Sequence, residues 1–176
     1  MANTYTHIAS TTLTSSSASI SFTSISTSYT DLVIYFGGRT TGNHGQASRF
    51  FSVKVNNTSG ATVQEQSGYG ASNTDARFID NQQMIMNIGG GGTSMPTGYF
   101  TVAKMFIPNY NSSNKKVFVS QGGNNDDVTA SDFLIGYYGG TGLNGGTGAI
   151  TQVDVLCTDQ NLASGSFASL YGIKNS

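Results

Sequence analysis

Apolar and polar residues take turns along most of this chain, and the period of that alternation is two. Ala18, Ile20 and Phe22 fall on one side of a stretch whose other side is Ser19, Ser21 and Thr23. In DLVIYFGGRT, Leu32, Ile34 and Phe36 share a face. In RFFSVKVNN, Phe51, Val53 and Val55 face one way, Ser52 and Lys54 the other. Successive side chains of a strand point to opposite faces, so this pattern predicts half-buried strands. Weaker alternation marks Tyr5–Leu13, and a short strand is expected around Ala61–Gln66. Met84, Met86 and Ile88 alternate in ARFIDNQQMIMNIGG. Further strands are predicted in GYFTVAKMFIPNY, ended near Pro108, and in KKVFVSQGG, DFLIGYYGG, AITQVDVLC and SFASLYGIK. Proline cannot donate to a central ladder, hence the stop at Pro108.

Between these runs lie Ser, Gly and Asn clusters: Ser15–Ser17, Gly37–Ala47, Ser67–Asp75, Gly89–Gly92 and Gly139–Gly148. These residues favour turns. The count is about ten strands, with no segment of helical period and no fixed-length repeat, which predicts a sandwich or barrel over a propeller or β-helix. No shift in composition marks a boundary, so residues 1–176 are read as one domain. The apolar C-terminal run with Phe167, Leu170, Tyr171 and Ile173 is expected to be an integral strand.

Composition sharpens this picture. Ser, Thr, Asn and Gly make up close to half of the 176 residues, while charged residues are only 10%. A chain so polar could be disordered, but 37% hydrophobic and 11% aromatic residues, set in alternating runs, provide a core. The net charge of −1 offers no basic face for phosphates, so nucleic-acid binding is not expected. No apolar run is long enough for a membrane helix. The start, MANTYTHIAS, lacks the charged and apolar regions of a secretory leader, so folding in the cytosol where the chain is made is expected. The single cysteine, Cys157, excludes an internal disulfide and reads as a small apolar strand residue.

Catalytic chemistry finds little to build on. His7 and His44 have no zinc-type spacing, no nucleophile elbow occurs, and the nine acids are scattered, so no enzyme is expected. The segment Gly122–Asp132 gathers Asn124, Asp126, Asp127 and Asp132, oxygen donors suited to calcium, but its spacing is not that of an EF-hand; it reads as a polar hairpin loop. The glycine clusters lack the lysine and the following helix of a phosphate cradle. No metal or cofactor is expected. Asn56, Asn57 and Asn111 match the N-glycosylation pattern and are read as accidental matches. Tyrosines at strand ends and in loops are the better candidates for recognition, since a ring with a hydroxyl can stack on sugars or anchor an interface. The candidate binding residues are Tyr99, Tyr110, Tyr137 and Tyr138, with Tyr69 in a similar setting.

Three stretches carry a resemblance: YTHIASTTLTSSSASISFTSISTSYTDLVIYFGGR (Tyr5–Arg39), RFFSVKVNNTSGA (Arg49–Ala61) with its N-x-x-G turn, and ITQVDVLCTDQNLASGSFASLYGIK (Ile150–Lys174) with its closing SLYGI. They resemble small virion structural proteins of tailed phages, notably those infecting cyanobacteria. The likeness covers both ends and fades over residues 62–149. It implies an antiparallel β-sandwich of jelly-roll type on the virion, with no catalytic residue. The expected function is that of a capsid decoration (cement) protein, a homotrimer that binds the major capsid protein or other virion proteins. In that setting the segment Ala2–Thr6 could reach to the shell. The rival expectation is a tail-fibre or receptor-binding module that recognises host glycan.

Overall fold

The computed structural model describes residues 4–41, 50–58, 61–69, 73–82, 84–88, 100–125, 133–142, 148–157 and 160–174; of these, for 50, 61–69, 73–82, 84–88, 124–125, 133–136, 138 and 141–142 it describes the backbone alone. Among the described residues twelve strands are formed: β1 (Thr4–Thr12), β2 (Ser19–Phe22), β3 (Asp31–Gly38), β4 (Phe50–Val55), β5 (Ala61–Tyr69), β6 (Asn73–Gln82), β7 (Met84–Ile88), β8 (Thr101–Ile107), β9 (Lys116–Asn125), β10 (Phe133–Gly142), β11 (Val153–Cys157) and β12 (Phe167–Lys174). No helix occurs among the described residues. Two differences from the sequence reading stand out. The loop expected at Ser67–Asp75 is largely strand, because β5 and β6 pair across it from Tyr69↔Asn73 onward. β10 also runs through Gly139 to Gly142, four residues into the loop expected at Gly139–Gly148.

The strands form two antiparallel sheets, one of eight strands in the order β1-β12-β3-β8-β9-β10-β5-β6 and one of four in the order β2-β11-β4-β7. The chain is a β-sandwich. Its pairing is nested: β1 pairs with β12, β2 with β11, β3 with β8 and β4 with β7. Two more pairings, β12 with β3 and β11 with β4, bring these ribbons side by side within the sheets. The hairpins β5–β6 and β9–β10 widen the larger sheet beyond β8.

The core lies between the sheets and is built from the alternation the sequence announces. Leu32, Ile34 and Phe36 of β3 and Ala103, Met105 and Ile107 of β8 meet Ile20 and Phe22 of β2, Phe51, Val53 and Val55 of β4, and Val153 and Val155 of β11. Phe36 and Phe51 join the layers, with ring centroids 4.8 Å apart. Each fully buried side chain of this size contributes about 1.5–3 kcal/mol through apolar burial. Cys157 is buried, as expected of a small apolar strand residue.

One end of the sandwich is closed by polar side chains that replace missing backbone partners. Asn56, at a left-handed φ of 47°, accepts at its Oδ1 from the amides of Thr151 (2.9 Å) and Gln152 (3.1 Å), and donates from Nδ2 to the Ala149 carbonyl (2.9 Å). Asn111 donates from Nδ2 to the carbonyls of Thr27 (3.2 Å) and Tyr29 (2.8 Å). Both residues are exposed, and each amide nitrogen donates to backbone carbonyls of a neighbouring loop.

Candidate functional site

The two sheets differ in what they present outward. On the four-stranded sheet the side away from the core is mostly polar: Ser19 and Ser52 flank Leu156, and Ser21 and Lys54 flank Asp154, with Ser52 and Asp154 themselves buried. On the eight-stranded sheet the outward positions are apolar. In β8 the pattern is strict: Thr101, Ala103, Met105 and Ile107 are buried, so Val102, Lys104 and Phe106 point away from the core. In β9, Lys116, Phe118 and Ser120 are buried, and Val117, Val119 and Gln121 point outward.

Register aligns these residues into rows, because directly paired residues share a face. One row crosses the sheet as Ser169, Tyr35, Lys104, Gln121 and Tyr137. A second runs Phe167, Gly37, Val102, Gly123. A third runs His7, Tyr171, Val33, Phe106, Val119, Gly139. All the large apolar side chains that remain exposed among the described residues lie on this face: Tyr5, Tyr35, Val102, Val117, Val119, Tyr137 and Phe167. Val119 is 60% exposed and Tyr137 55%. Contiguous exposed apolar surface of this kind marks a contact site, since isolated exposed residues need no explanation but a clustered set does.

Aromatic contacts hold part of the face in place. Tyr171 makes edge contacts with Tyr5, His7 and Tyr35, at centroid distances of 6.4, 5.3 and 5.7 Å. Lys104 sets its Nζ 5.5 Å from the centroid of the Tyr35 ring, a cation–π contact. Lys104 and Gln121 form a polar ridge between two hollows. One, of about 540 Å³, is walled by Tyr35, Val102, Tyr137 and Phe167, with Gly122 and Gly123 among its lining. The other, of about 590 Å³, is lined by Tyr5, Asp31, Phe106, Val119 and Ile173.

The four tyrosines singled out from the sequence have different fates. Tyr137 lies on the apolar face, beside Gln121, and is exposed. Tyr138 has its backbone place in β10 opposite Ser120 and Glu65, and its side chain lies outside the described part. Tyr99 lies outside the described residues, as do Ala2 and Asn3 of the N-terminal segment. Tyr110 corrects the expectation of an exposed binding tyrosine: it is fully buried. The turn after Pro108 folds back, the Tyr110 amide donates to the Thr30 carbonyl (3.2 Å), and its hydroxyl donates to the Ser26 carbonyl. Burial raises its pKa above the ordinary tyrosine value.

Tyr35, Lys104, Gln121 and Phe167 are the residues that sequence reasoning missed as site members. Their signal was present, because Val117 and Val119 flank Phe118 and leave no polar side to that strand. A strand apolar on both faces needs two partners, and only one is supplied by the core. Of the oxygen-bearing residues in Gly122–Asp132, Asp126, Asp127 and Asp132 lie outside the described residues, as does His44. Among the described residues no group of three His, Cys, Asp or Glu side chains gathers as a metal set. No protein-family model, no curated protein and no solved structure matches the chain.

Proposed function

We propose that this chain is a non-enzymatic structural protein of a tailed-phage particle, a capsid decoration protein whose contact surface is the outer face of the eight-stranded sheet. The observation that carries the reading is the collection of every exposed large apolar side chain of the described residues on that one face. A rigid sheet presents such side chains with little entropy left to lose on docking, which suits an adhesive part. The resemblance of both chain ends to virion structural proteins supplies the setting. The nested pairing of β1 with β12, β2 with β11, β3 with β8 and β4 with β7 supports reading the sandwich as a jelly roll carrying two inserted hairpins. In this reading the partners are the major capsid protein and two further copies, in a homotrimer, and the location is the virion.

Purified chain mixed with capsids lacking it tests the proposal. Saturable binding in hundreds of copies per particle is expected, with Val119→Asp abolishing it. Absence of binding by the folded wild-type chain refutes it. A second reading, a tail-fibre module for host glycan, is favoured by the exposure of Tyr137 at the rim of a hollow of ligand size. A dozen or so copies per virion in place of hundreds would favour that reading.

A further inference from the structure

The two hollows on the outer face meet at the Lys104–Gln121 ridge, and both are lined by those two residues. Their volumes of about 540 and 590 Å³ are those of small-molecule sites. The larger share of each wall is apolar, and the polar groups that converge on the ridge are an ammonium and an amide. The acid in the lining is Asp31, which is buried and accepts from the Asn109 amide (2.9 Å). Lys104 instead faces the Tyr35 ring. The face therefore offers aromatic walls, an amide, and one cation, with no exposed carboxylate among its described residues.

The geometry points to an acidic saccharide chain as the occupant, lying across the ridge with a carboxylate-bearing sugar at Lys104 and neighbouring sugars in the two hollows. This rests on the glycan-binding reading and names the ligand class for it. Three features select that ligand. Rings at Tyr137, Tyr35 and Phe167 offer flat apolar walls to the C–H faces of a sugar. The Gln121 amide can both donate to and accept from hydroxyl groups. The Lys104 ammonium makes a charge-assisted bond to a carboxylate, which is stronger than a neutral one. A second copy stacked face to face about a two-fold axis at the ridge would set Lys104 against Lys104, so charge complementarity favours the anionic ligand over self-association.

The test is an array of oligosaccharides that holds uronic-acid, sialic-acid and neutral members, probed with the folded wild-type chain, Lys104→Gln and Tyr137→Ala. Both substituted positions lie on the outer face, and unchanged thermal unfolding serves as the folding control. Wild type is expected to prefer acidic members, with binding that weakens as salt rises. Lys104→Gln should weaken acidic binding roughly tenfold, the size of a lost charge-assisted bond, and leave neutral members unchanged. Tyr137→Ala should weaken both. Equal binding of neutral and acidic members, or no effect of Lys104→Gln, overturns the acidic ligand while leaving the glycan reading in place. No binding to any member overturns both. Concentration-dependent self-association that Val119→Asp abolishes, without sugar binding, would assign the face to a second copy instead.

Discussion

Phe167 covers Gly37, its direct partner across β12 and β3. A Cβ built on Gly37 would come within 2.5 Å of two carbons of the Phe167 ring. The glycine is needed because the ring occupies the space its side chain would take, an arrangement that shields strand backbone with an aromatic group. Phe167 is partly exposed, so its ring can swing aside. Gly37→Ala is therefore expected to cost about 1 kcal/mol or less in urea unfolding, while disturbing a wall of the smaller hollow. A loss of several kcal/mol would mean the ring has nowhere to go.

Gly172 offers the contrasting case. It is buried, and a Cβ there would lie 2.3 Å from Cγ of Tyr29, the end of the ring nearest its own backbone. That atom cannot move without the whole residue, so Gly172→Ala is expected to destabilise by about 2–3 kcal/mol through overpacking. Gly139→Ala serves as the control, since among the described residues its Cβ would meet only the Phe118 carbonyl at 3.7 Å, and its stability should match wild type within about 0.5 kcal/mol. Equal effects at the two positions would contradict the packing described.

Removing the Tyr110 hydroxyl leaves the Ser26 carbonyl without this donor. Tyr110→Phe is expected to lose about 1 kcal/mol, and Tyr110→Ala about 3–5 kcal/mol, as a buried aromatic site empties. Capsid or saccharide binding measured on the folded Phe variant should equal wild type. A selective loss of binding at unchanged stability would restore Tyr110 to the contact surface.

Two buried titrating groups give stability a defined shape at alkaline pH. Lys116 is buried, with Nζ donating to the carbonyls of Ser112 and Asn114 (2.9 Å to the latter), and burial lowers its pKa below the ordinary value of 10.5. Between its folded pKa and 10.5 the unfolded chain holds a proton that the folded chain has released, so stability rises with pH in that window. Tyr110 behaves oppositely. Its folded pKa lies above 10, so from pH 10 upward the unfolded chain loses a proton the folded chain keeps, and stability falls. Urea unfolding from pH 8 to 11 should show the rise flattened by Lys116→Met and the fall flattened by Tyr110→Phe. Unchanged profiles in both variants would rule out these groups as the cause.

The strands of strict alternation were legible from composition and period alone. Ile20 and Phe22, Leu32, Ile34 and Phe36, and Phe51, Val53 and Val55 all lie in the core as the pattern requires. The partner of each strand was not legible, because hydrogen bonding between β1 and β12 leaves no local trace at either. The outer face escaped for a different reason. Val102, Val117 and Val119 look like core residues in a sequence, and period two cannot say which of two apolar sides is covered. Tyr110 was misjudged because proximity to Pro108 says that a strand ends and not where the chain turns next. Of the four candidate tyrosines, Tyr137 alone has a described, exposed side chain, and it lies on that face.

Nested pairing governs the order in which this molecule can be assembled. Thr4 meets Lys174 and Ile20 meets Val155, so the earliest strands synthesised wait for the latest before their ladders can close. The whole stretch from Thr4 to Lys174 must therefore be synthesised before the outer ribbon exists, and the search that follows is dominated by distant encounters, which makes it slow. During that wait the unpaired edges and the valines of β8 and β9 are open to other copies, so production yield is set by how quickly the last strand arrives.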